Sequence, residues 1–422
     1  LSSDAAHPNP LVARRLSDIY KLHRKEMDLR LADSPYLDLL HALGDPHNSL
    51  PPVVHIAGTN GKGSTLAMLR AMLEAAGYRA HVYTSPHLIL FNERVRLAGT
   101  LIDDKMLIDL IDRVNVANAG RPITFFEFTT ALAFVAFNLV PADIVLLETG
   151  MGGRLDCTNA VDHPFVTAIT KISYDHMDFL GHTLPDIAAE KAGIMKRGAP
   201  CVIGSQMAPE QVMPVFRKRA GELGIDLIEA PALPRDYPAP NLVGSHQLEN
   251  AALALAIADQ LRGFDIPAQT RRHGLRHTEW PGRMQRITAG PVAAQLPEGW
   301  ELWFDAAHND SGAQALAVQL QHWRDETPEK PVHLVVGLAG DKDVKAFFGP
   351  LEGLYDTLAL VDLPHARVPR TAAALALAIR EAGFHKPAAL YENVPDAILS
   401  HQGGKPIRVI VAGSMYLYEA VV

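Results

Sequence analysis

The sequence lacks the features that mark several broad classes of protein. Of its 422 residues only two are cysteine, Cys157 and Cys201, and they do not form a C-x-x-C pair. That argues against a disulfide framework or a cysteine zinc site and fits a reducing compartment. No long basic run occurs. Asp and Glu number 47 against 39 Lys and Arg, for a net charge of −8, so nucleic acid is not an expected partner. The opening stretch LSSDAAHPNPLVARRL has no apolar core of a secretory signal, and a cytoplasmic location is expected. It also lacks an initiator Met, so a few residues are expected to precede it. The most apolar segment, ITFFEFTTALAFVAFNLV, is interrupted by Glu127 and Asn138. A buried helix explains it better than a membrane span, and no membrane partner is expected. Nor does any repeat of 20–50 residues stand out.

What is present is the pattern of an α/β enzyme. The length exceeds one ordinary core, so two domains are expected, and 48% hydrophobic with 20% charged residues is an ordinary globular mix. Short apolar runs (PVVHIAG, RAHVYT, DIVLLE, FVTAIT, PCVIG) alternate with helical spacing such as STLAMLRAMLEAAG, which predicts a parallel-rich sheet. Chemistry in such a sheet gathers at the carboxyl ends of the strands. Those ends here carry a Gly-rich turn, then Ser85, then Glu148, then Asp175 and His176. After TEWPGRMQRI a second set begins: WELWFD, VHLVVG, TLALVD, AALYE and IRVIVAG. The loop TAGPVAAQLPEGW follows the junction, placed near residue 285, so domains 1–285 and 286–422 are expected.

The turn VVHIAGTNGKGST resembles a phosphate cradle but departs from G-x-x-x-x-G-K-[ST]: Gly63 follows Lys62, and the hydroxyls of Ser64 and Thr65 come one step late. Glycines let the backbone approach a phosphate, and the helix start points its N–H groups at the anion. Lys62 would reach the β- and γ-phosphates. Glu148 closes an apolar strand, where a nucleotide-hydrolysing fold holds Mg²⁺. The neighbouring GMGGRLD suits a substrate loop, although Arg154 could equally pair with a surface acid and Asp156 could cap a helix. His176 could ligate a metal with Asp175 orienting its ring, but a lone histidine is more often structural. DIAAEKAGIMKRG reads as a short helix stopped at Gly198 with Lys191 in its middle. By spacing alone Lys191 is an exposed lysine or a partner of Glu190 or Asp186. His273 and His277 stand at i, i+4 without a third ligand and read as solvated surface. Asp305 and His308 follow a strand end, as does Ser414, and capping by Asn309, Asp310 and Ser414 is an equal alternative.

Taken together, HIAGTNGKGST, YTSPHL, FNERVR, LLETGMGGRLDCTN, DHMDFLGHTLPDIAAEKAGIMK, HQLENAALA, WPGRMQRI, FDAAHN, GDKD and VAGSMYLYEAV resemble the folylpolyglutamate synthase/dihydrofolate synthase family of the Mur-ligase superfamily. The resemblance runs in family order from about residue 22 to the end. It implies a P-loop, Mur-ligase-like ATPase domain followed by a smaller Rossmann-like α/β domain, with the ATP site between domains. Carried across, Thr59, Asn60, Gly61, Lys62, Gly63 and Ser64 hold ATP phosphates, and Asn250, Arg283 and Asp305 match ATP-contacting positions. Ser85, Glu148 and His176 become ligands of Mg²⁺, two ions in all, and Lys191 a carbamylated lysine. With Lys62 and Lys191, His308 and Ser414 match active-site positions. Glu26, Met27, Asp28 and Leu29, together with Leu155, Asp156 and Cys157, match the segments that face dihydropteroate in bifunctional members. Departures are Asp310 in place of Pro, Ala339 and Gly340 in place of bulkier residues, and Cys157 in place of Ala or Ser.

The implied activity is ATP-dependent ligation of L-glutamate to dihydropteroate and to reduced folates through an acyl phosphate, by a monomer. A monofunctional folylpolyglutamate synthase or another Mur-type amide ligase is the nearest alternative. Muropeptide ligases usually carry an extra N-terminal domain, whereas about fifty residues precede the turn here. A P-loop switch protein is the alternative from another class, and a degenerate ATP-binding scaffold is disfavoured by Lys62, Glu148 and His176.

Overall fold

The structure is a computed structural model that describes residues 5–22, 34–366, 368–401 and 405–422. Its chain divides into two compact units. The first runs to Asn241 and resumes over Leu248–Glu279; the second comprises Leu242–Gln247 and Trp280–Val422.

The first unit holds an eight-stranded sheet. Its strands are β1 (Val53–Ala57), β2 (Ala80–Tyr83), β3 (Val95–Leu97), β4 (Thr100–Leu101), β5 (Ile144–Glu148), β6 (Val166–Ile169), β7 (Cys201–Ile203) and β8 (Leu227–Glu229). Their spatial order is β4-β3-β2-β5-β1-β6-β7-β8. From β2 through β8 all neighbours are parallel, and β3 and β4 add an antiparallel edge. Every residue of β1 and β5 is buried. This is why both read as apolar runs, broken only by His55 in β1 and closed by Glu148 in β5: helices cover both faces of a parallel sheet.

The apolar segment with Glu127 is a buried helix, Phe125–Leu139. Glu127 belongs there because it caps rather than packs. Its carboxylate accepts the Thr124 N–H at 2.7 Å while Thr124 Oγ1 accepts the Glu127 N–H at 3.1 Å, which satisfies two donors at the helix start. Asn138 donates to the Pro46 carbonyl at 2.7 Å. Among the described residues no helix is long and apolar enough to cross a membrane.

The second unit has a six-stranded sheet of β9 (Gln285–Ile287), β10 (Glu301–Phe304), β11 (Val332–Val336), β12 (Thr357–Val361), β13 (Ala388–Tyr391) and β14 (Arg408–Ala412), ordered β13-β12-β11-β14-β10-β9. All pairs are parallel except β9 with β10. The junction falls between Glu279 and Trp280, earlier than the expected residue 285. The reason is that β9 pairs with β10 and the Ala306 N–H bonds the Gly282 carbonyl at 3.0 Å, so WPGRMQRI belongs with the second sheet. At the amino ends of the strands, Glu301 accepts from Lys330 and Arg408 Nε, each at 2.8 Å. The Arg408 guanidinium also lies over the Trp323 ring at 4.8 Å.

Candidate active site

Parallel pairing sets Ile56 of β1 beside Glu148 of β5, so the carboxylate emerges next to the turn that follows β1. The helix Lys62–Ala75 starts directly from that turn. Lys62 Nζ folds back to donate to the carbonyls of Gly58 (3.1 Å) and Thr59 (3.3 Å) and stands 3.8 Å from Glu148 Oε1. The other Glu148 oxygen faces the Ser85 N–H, 3.4 Å away. Lys62, Glu148 and Ser85, far apart in sequence, therefore share one end of the sheet. Gly61 has φ +92°, and a Cβ there would come within 2.4 Å of Asn250 Oδ1; the position needs glycine for both its conformation and the approach of Asn250. Gly63 and Ser64 lie buried in the first helical turn. Asn60 pairs with Lys171, and the Thr59 hydroxyl is turned onto Ser173.

Lys191 corrects the expectation of an exposed lysine. It is only 4% exposed, and its Nζ donates to the Gly58 carbonyl at 3.0 Å, the same oxygen that Lys62 uses. The helix Leu184–Ala192 ends at Gly193 rather than Gly198, so Lys191 lies in its last turn and not in its middle. Glu190 is engaged elsewhere, by Arg154 at 2.7 Å. Gly193 sits against Arg154: a Cβ would meet the Arg154 Cα at 2.4 Å. That close approach seats the helix end, and Lys191 with it, against the GMGGRLD loop. Burial lowers the Lys191 ammonium from an ordinary 10.5 to about 7. The charge of Lys62 adds to the effect, and Asp175, Asp156 and Glu190 partly oppose it.

His176 stands at φ +50° at the start of a short helical turn, Met177–Leu180, a conformation uncommon outside glycine. Asp175 Oδ1 accepts the His176 backbone N–H at 3.0 Å, and the His176 ring nitrogen Nε2 lies 4.0 Å from the same oxygen. Asp175 thus shapes the turn, and its nearness to the ring is that of a neighbouring charge rather than a hydrogen bond. Among the described residues no three His, Cys, Asp or Glu side chains converge to hold a metal by themselves. The donors present at the turn, one carboxylate with a serine, suit Mg²⁺, which keeps waters and borrows substrate phosphates. They do not suit a closed, all-protein cage.

In the GMGGRLD loop, Asp156 caps. It is buried and accepts from the N–H groups of Met151 and Thr158, at 2.9 and 3.0 Å. The Thr158 hydroxyl also donates to Asp156, so His55 Nε2 donates to Thr158 Oγ1 at 2.8 Å. Burial, with Lys196 adding, pushes His55 down to about 3 and keeps it neutral. Tyr36 donates to the Cys157 carbonyl at 3.1 Å, and Leu155 and Cys157 are half-buried. Glu26, Met27, Asp28 and Leu29 lie outside the described residues.

In the second unit, the Asp305 carboxylate accepts the N–H groups of Met284 (2.7 Å) and Ala307 (2.8 Å). Met284 has φ +38°, so Asp305 pins the turn beside Arg283, whose guanidinium donates to the Gly282 carbonyl at 3.1 Å. The His308 ring nitrogen Nδ1 lies 2.8 Å from the Ala306 carbonyl, so Nδ1 donates in that bond. The Gly413 N–H bonds the Ala307 carbonyl at 2.8 Å, which joins the ends of β10 and β14 and brings Ser414 to the same rim. Asn309 and Ser414 also cap helical turns, accepting from Gly312 and Tyr416. His273 and His277 stack at 4.1 Å, and the His277 ring bonds the His273 carbonyl.

Sequence reasoning missed the Gly58 carbonyl, on which two lysines meet, and the buried His55. A main-chain acceptor leaves no trace in residue type, and a histidine inside a strand looks like any other.

Residues 56–228 match the Mur ligase middle domain family. The folylpolyglutamate synthase of Lacticaseibacillus casei is 30% identical, over 91% of this chain and 92% of that protein. The dihydrofolate synthase/folylpolyglutamate synthase of Bacillus subtilis is 31% identical over the same shares. Among solved structures, Escherichia coli FolC in complex with DHPP and ADP superposes with a TM-score of 0.82 at 30% identity, covering 98% of this chain and 96% of that one. A bifunctional folylpolyglutamate synthase/dihydrofolate synthase with Mn, AMPPNP and L-glutamate bound matches at TM-score 0.82 and 30% identity, over 100% of this chain and 98% of that one. With a lysine, a carboxylate and a second, buried lysine gathered on one glycine turn, and with relatives alike over nearly their whole length, the chain belongs to the dihydrofolate synthase/folylpolyglutamate synthase family of Mur-type ligases.

Proposed function

We propose that this chain is an ATP-dependent carboxylate–amine ligase that joins L-glutamate to dihydropteroate and to the γ-carboxylate of reduced folates, acting as a monomer. The observation that carries the reading is the meeting of Lys62, Glu148 and Lys191 around the Gly58–Lys62 turn. A carboxylate acylates poorly because its leaving group would be oxide. Transfer of the γ-phosphoryl of ATP forms an acyl phosphate, and the C–O bond to phosphate breaks as the glutamate amine attacks. The products are the amide, ADP and phosphate.

Lys62 leaves its carbonyl contacts to meet the β- and γ-phosphates, and the turn's N–H groups orient them. Ser85, Glu148 and His176 would hold divalent cations, two Mg²⁺ in all on this reading, and such ions when bound would supply charge neutralisation at the phosphoryl group. Lys191, whose ammonium burial lowers to about 7, can as the free amine take up CO₂ with release of a proton. The resulting carbamate turns a cation beside Lys62 into an anion suited to a metal-rich site. Thr59, Asn60, Gly61, Gly63, Ser64 and Asn250 complete the nucleotide contacts of the first unit, while Arg283, Asp305, His308 and Ser414 of the second unit keep the roles that the family resemblance implies. Leu155, Asp156 and Cys157 face the pteridine substrate through a loop stiffened by Thr158 and His55.

The test is direct. Purified protein is given ATP, Mg²⁺ and labelled glutamate with either dihydropteroate or tetrahydrofolate, and products are separated by mass. Glutamate added to both acceptors is the expected result. Addition to tetrahydrofolate alone would make the enzyme monofunctional, and ATP hydrolysis indifferent to both acceptors would remove the ligase reading.

A further inference from the structure

One side chain joins the phosphate-binding turn to the segment that follows β6. Thr59 Oγ1 donates to the Ser173 carbonyl at 3.0 Å and accepts the Ser173 N–H at 3.1 Å. The Thr59 N–H adds a bond to the Lys171 carbonyl at 3.0 Å. On its other side the segment is held by Gln206. Its Oε1 accepts the Ile172 N–H at 3.0 Å, and its amide donates to the carbonyls of Thr170 (3.1 Å) and Gly204 (2.8 Å). Lys171 also pairs with Glu249. The chain then turns at once through Asp175 and His176, where φ is +50°.

A hydroxyl has one proton to give, and Thr59 gives it to a main-chain carbonyl. A phosphate oxygen wants a donor, so the Thr59 hydroxyl is occupied in the arrangement seen here, whereas backbone N–H groups and Lys62 serve an anion without disturbing the segment. We propose that Thr59 is a positioning residue: it clamps the Lys171–Ser173 segment to the phosphate-binding turn and thereby sets where His176 stands relative to Lys62 and Glu148. The consequence for metal binding rests on the reading of His176 as a ligand; the clamp itself does not. Mg²⁺ tolerates little error in ligand placement, and a ligand carried at a positive φ holds its place only while its surroundings over-determine it.

The experiment compares Thr59→Val, which keeps the shape and removes both bonds, with Thr59→Ser, which keeps them; Thr59→Ala repeats the loss should the valine protein not fold. Hydrogen–deuterium exchange on the metal-free protein is expected to quicken at Ser173–His176 in the valine variant and to match wild type in the serine variant. Mn²⁺ titration in the presence of saturating AMPPNP is expected to show roughly tenfold weaker metal binding for Thr59→Val, with Thr59→Ser restored. Unchanged exchange in Thr59→Val, or lost nucleotide affinity with unchanged Mn²⁺ affinity, would overturn the proposal. His176→Ala separates the two readings: if it leaves Mn²⁺ affinity intact, His176 is not a ligand, and the exchange data still decide the clamp.

Discussion

Replacing Lys191 by methionine tests the chemistry of the site most sharply. The side chain is buried against Gly58, and its ammonium has fallen from 10.5 to about 7. With a value near 7, a large share of such a lysine is neutral around pH 7.5, against about one part in a thousand for an ordinary one. Only the neutral amine adds to CO₂, so burial makes Lys191 a better candidate for carbamate formation than an exposed lysine. Stability moves with it. A lysine whose folded value lies below its unfolded value binds its proton more weakly in the native state. The fold is therefore penalised in full below pH 7, and stability recovers as pH rises from about 7 towards 10.5. The slope is about 1.4 kcal/mol per pH unit, or about 2 kcal/mol between pH 7 and 9. Urea titrations in CO₂-free buffer are expected to find Lys191→Met more stable than wild type at pH 6, with the advantage shrinking by that amount towards pH 9. With ¹³C-bicarbonate, Mg²⁺ and AMPPNP, wild type is expected to give one carbamate resonance that the variant lacks. Ligation is expected to fall away in Lys191→Ala and to return in part with short carboxylates. Parallel stability curves for wild type and Lys191→Met would refute the electrostatic argument, and a carbamate signal surviving in the variant would refute the assignment.

Three further outcomes follow from particular contacts. Lys62→Ala is expected to lose ligation by roughly a hundredfold or more with little change in melting temperature; near-normal turnover would end the phosphate-cradle reading. Gly193→Ala would drive a Cβ to 2.4 Å from the Arg154 Cα. An expected cost of about 2 kcal/mol, with impaired ligation because the helix end carrying Lys191 must shift, can be read by urea unfolding and steady-state kinetics. In the second unit, burial alone would raise the Glu301 carboxyl, but hydrogen bonds from Lys330, Trp303 and Arg408 outweigh it and bring it to about 2. Its stabilisation is therefore present above the ordinary value of 4.5 and lost as pH falls towards 2. Glu301→Gln is expected to flatten acid unfolding in that window by on the order of 1 kcal/mol, allowing for solvent screening; an unchanged acid limb would count against the network.

The ten apolar runs read from the sequence are all strands: β1, β2, β5, β6, β7 and β10 to β14. Seven of them, β1, β2, β5, β6, β7, β11 and β14, are buried at every residue, as strands covered on both faces are, whereas the edge strand β13 read as a strand although two of its four residues are exposed. The strands not read, β3, β4, β8 and β9, are two or three residues long and lie in the sheets' outer positions, where neither length nor burial writes a pattern. Glu127 interrupted an apolar run yet did not break its helix, since a capping box places a carboxylate at that point.

Residue order alone thus determined the two parallel-rich sheets, the helix-opening glycine turn, and the set of polar residues left at strand ends, because periodicity and backbone freedom are local properties. Spacing alone left Lys191 as an ordinary surface lysine, which only the family resemblance marked as a carbamate site, and Thr59 as one more residue of the phosphate loop. Only the tertiary structure placed the Lys191 amine on the Gly58 carbonyl and turned the Thr59 hydroxyl onto Ser173. Burial and the nearness of Lys62 arise from segments more than a hundred residues apart, and a field made by such neighbours cannot be read from either segment by itself.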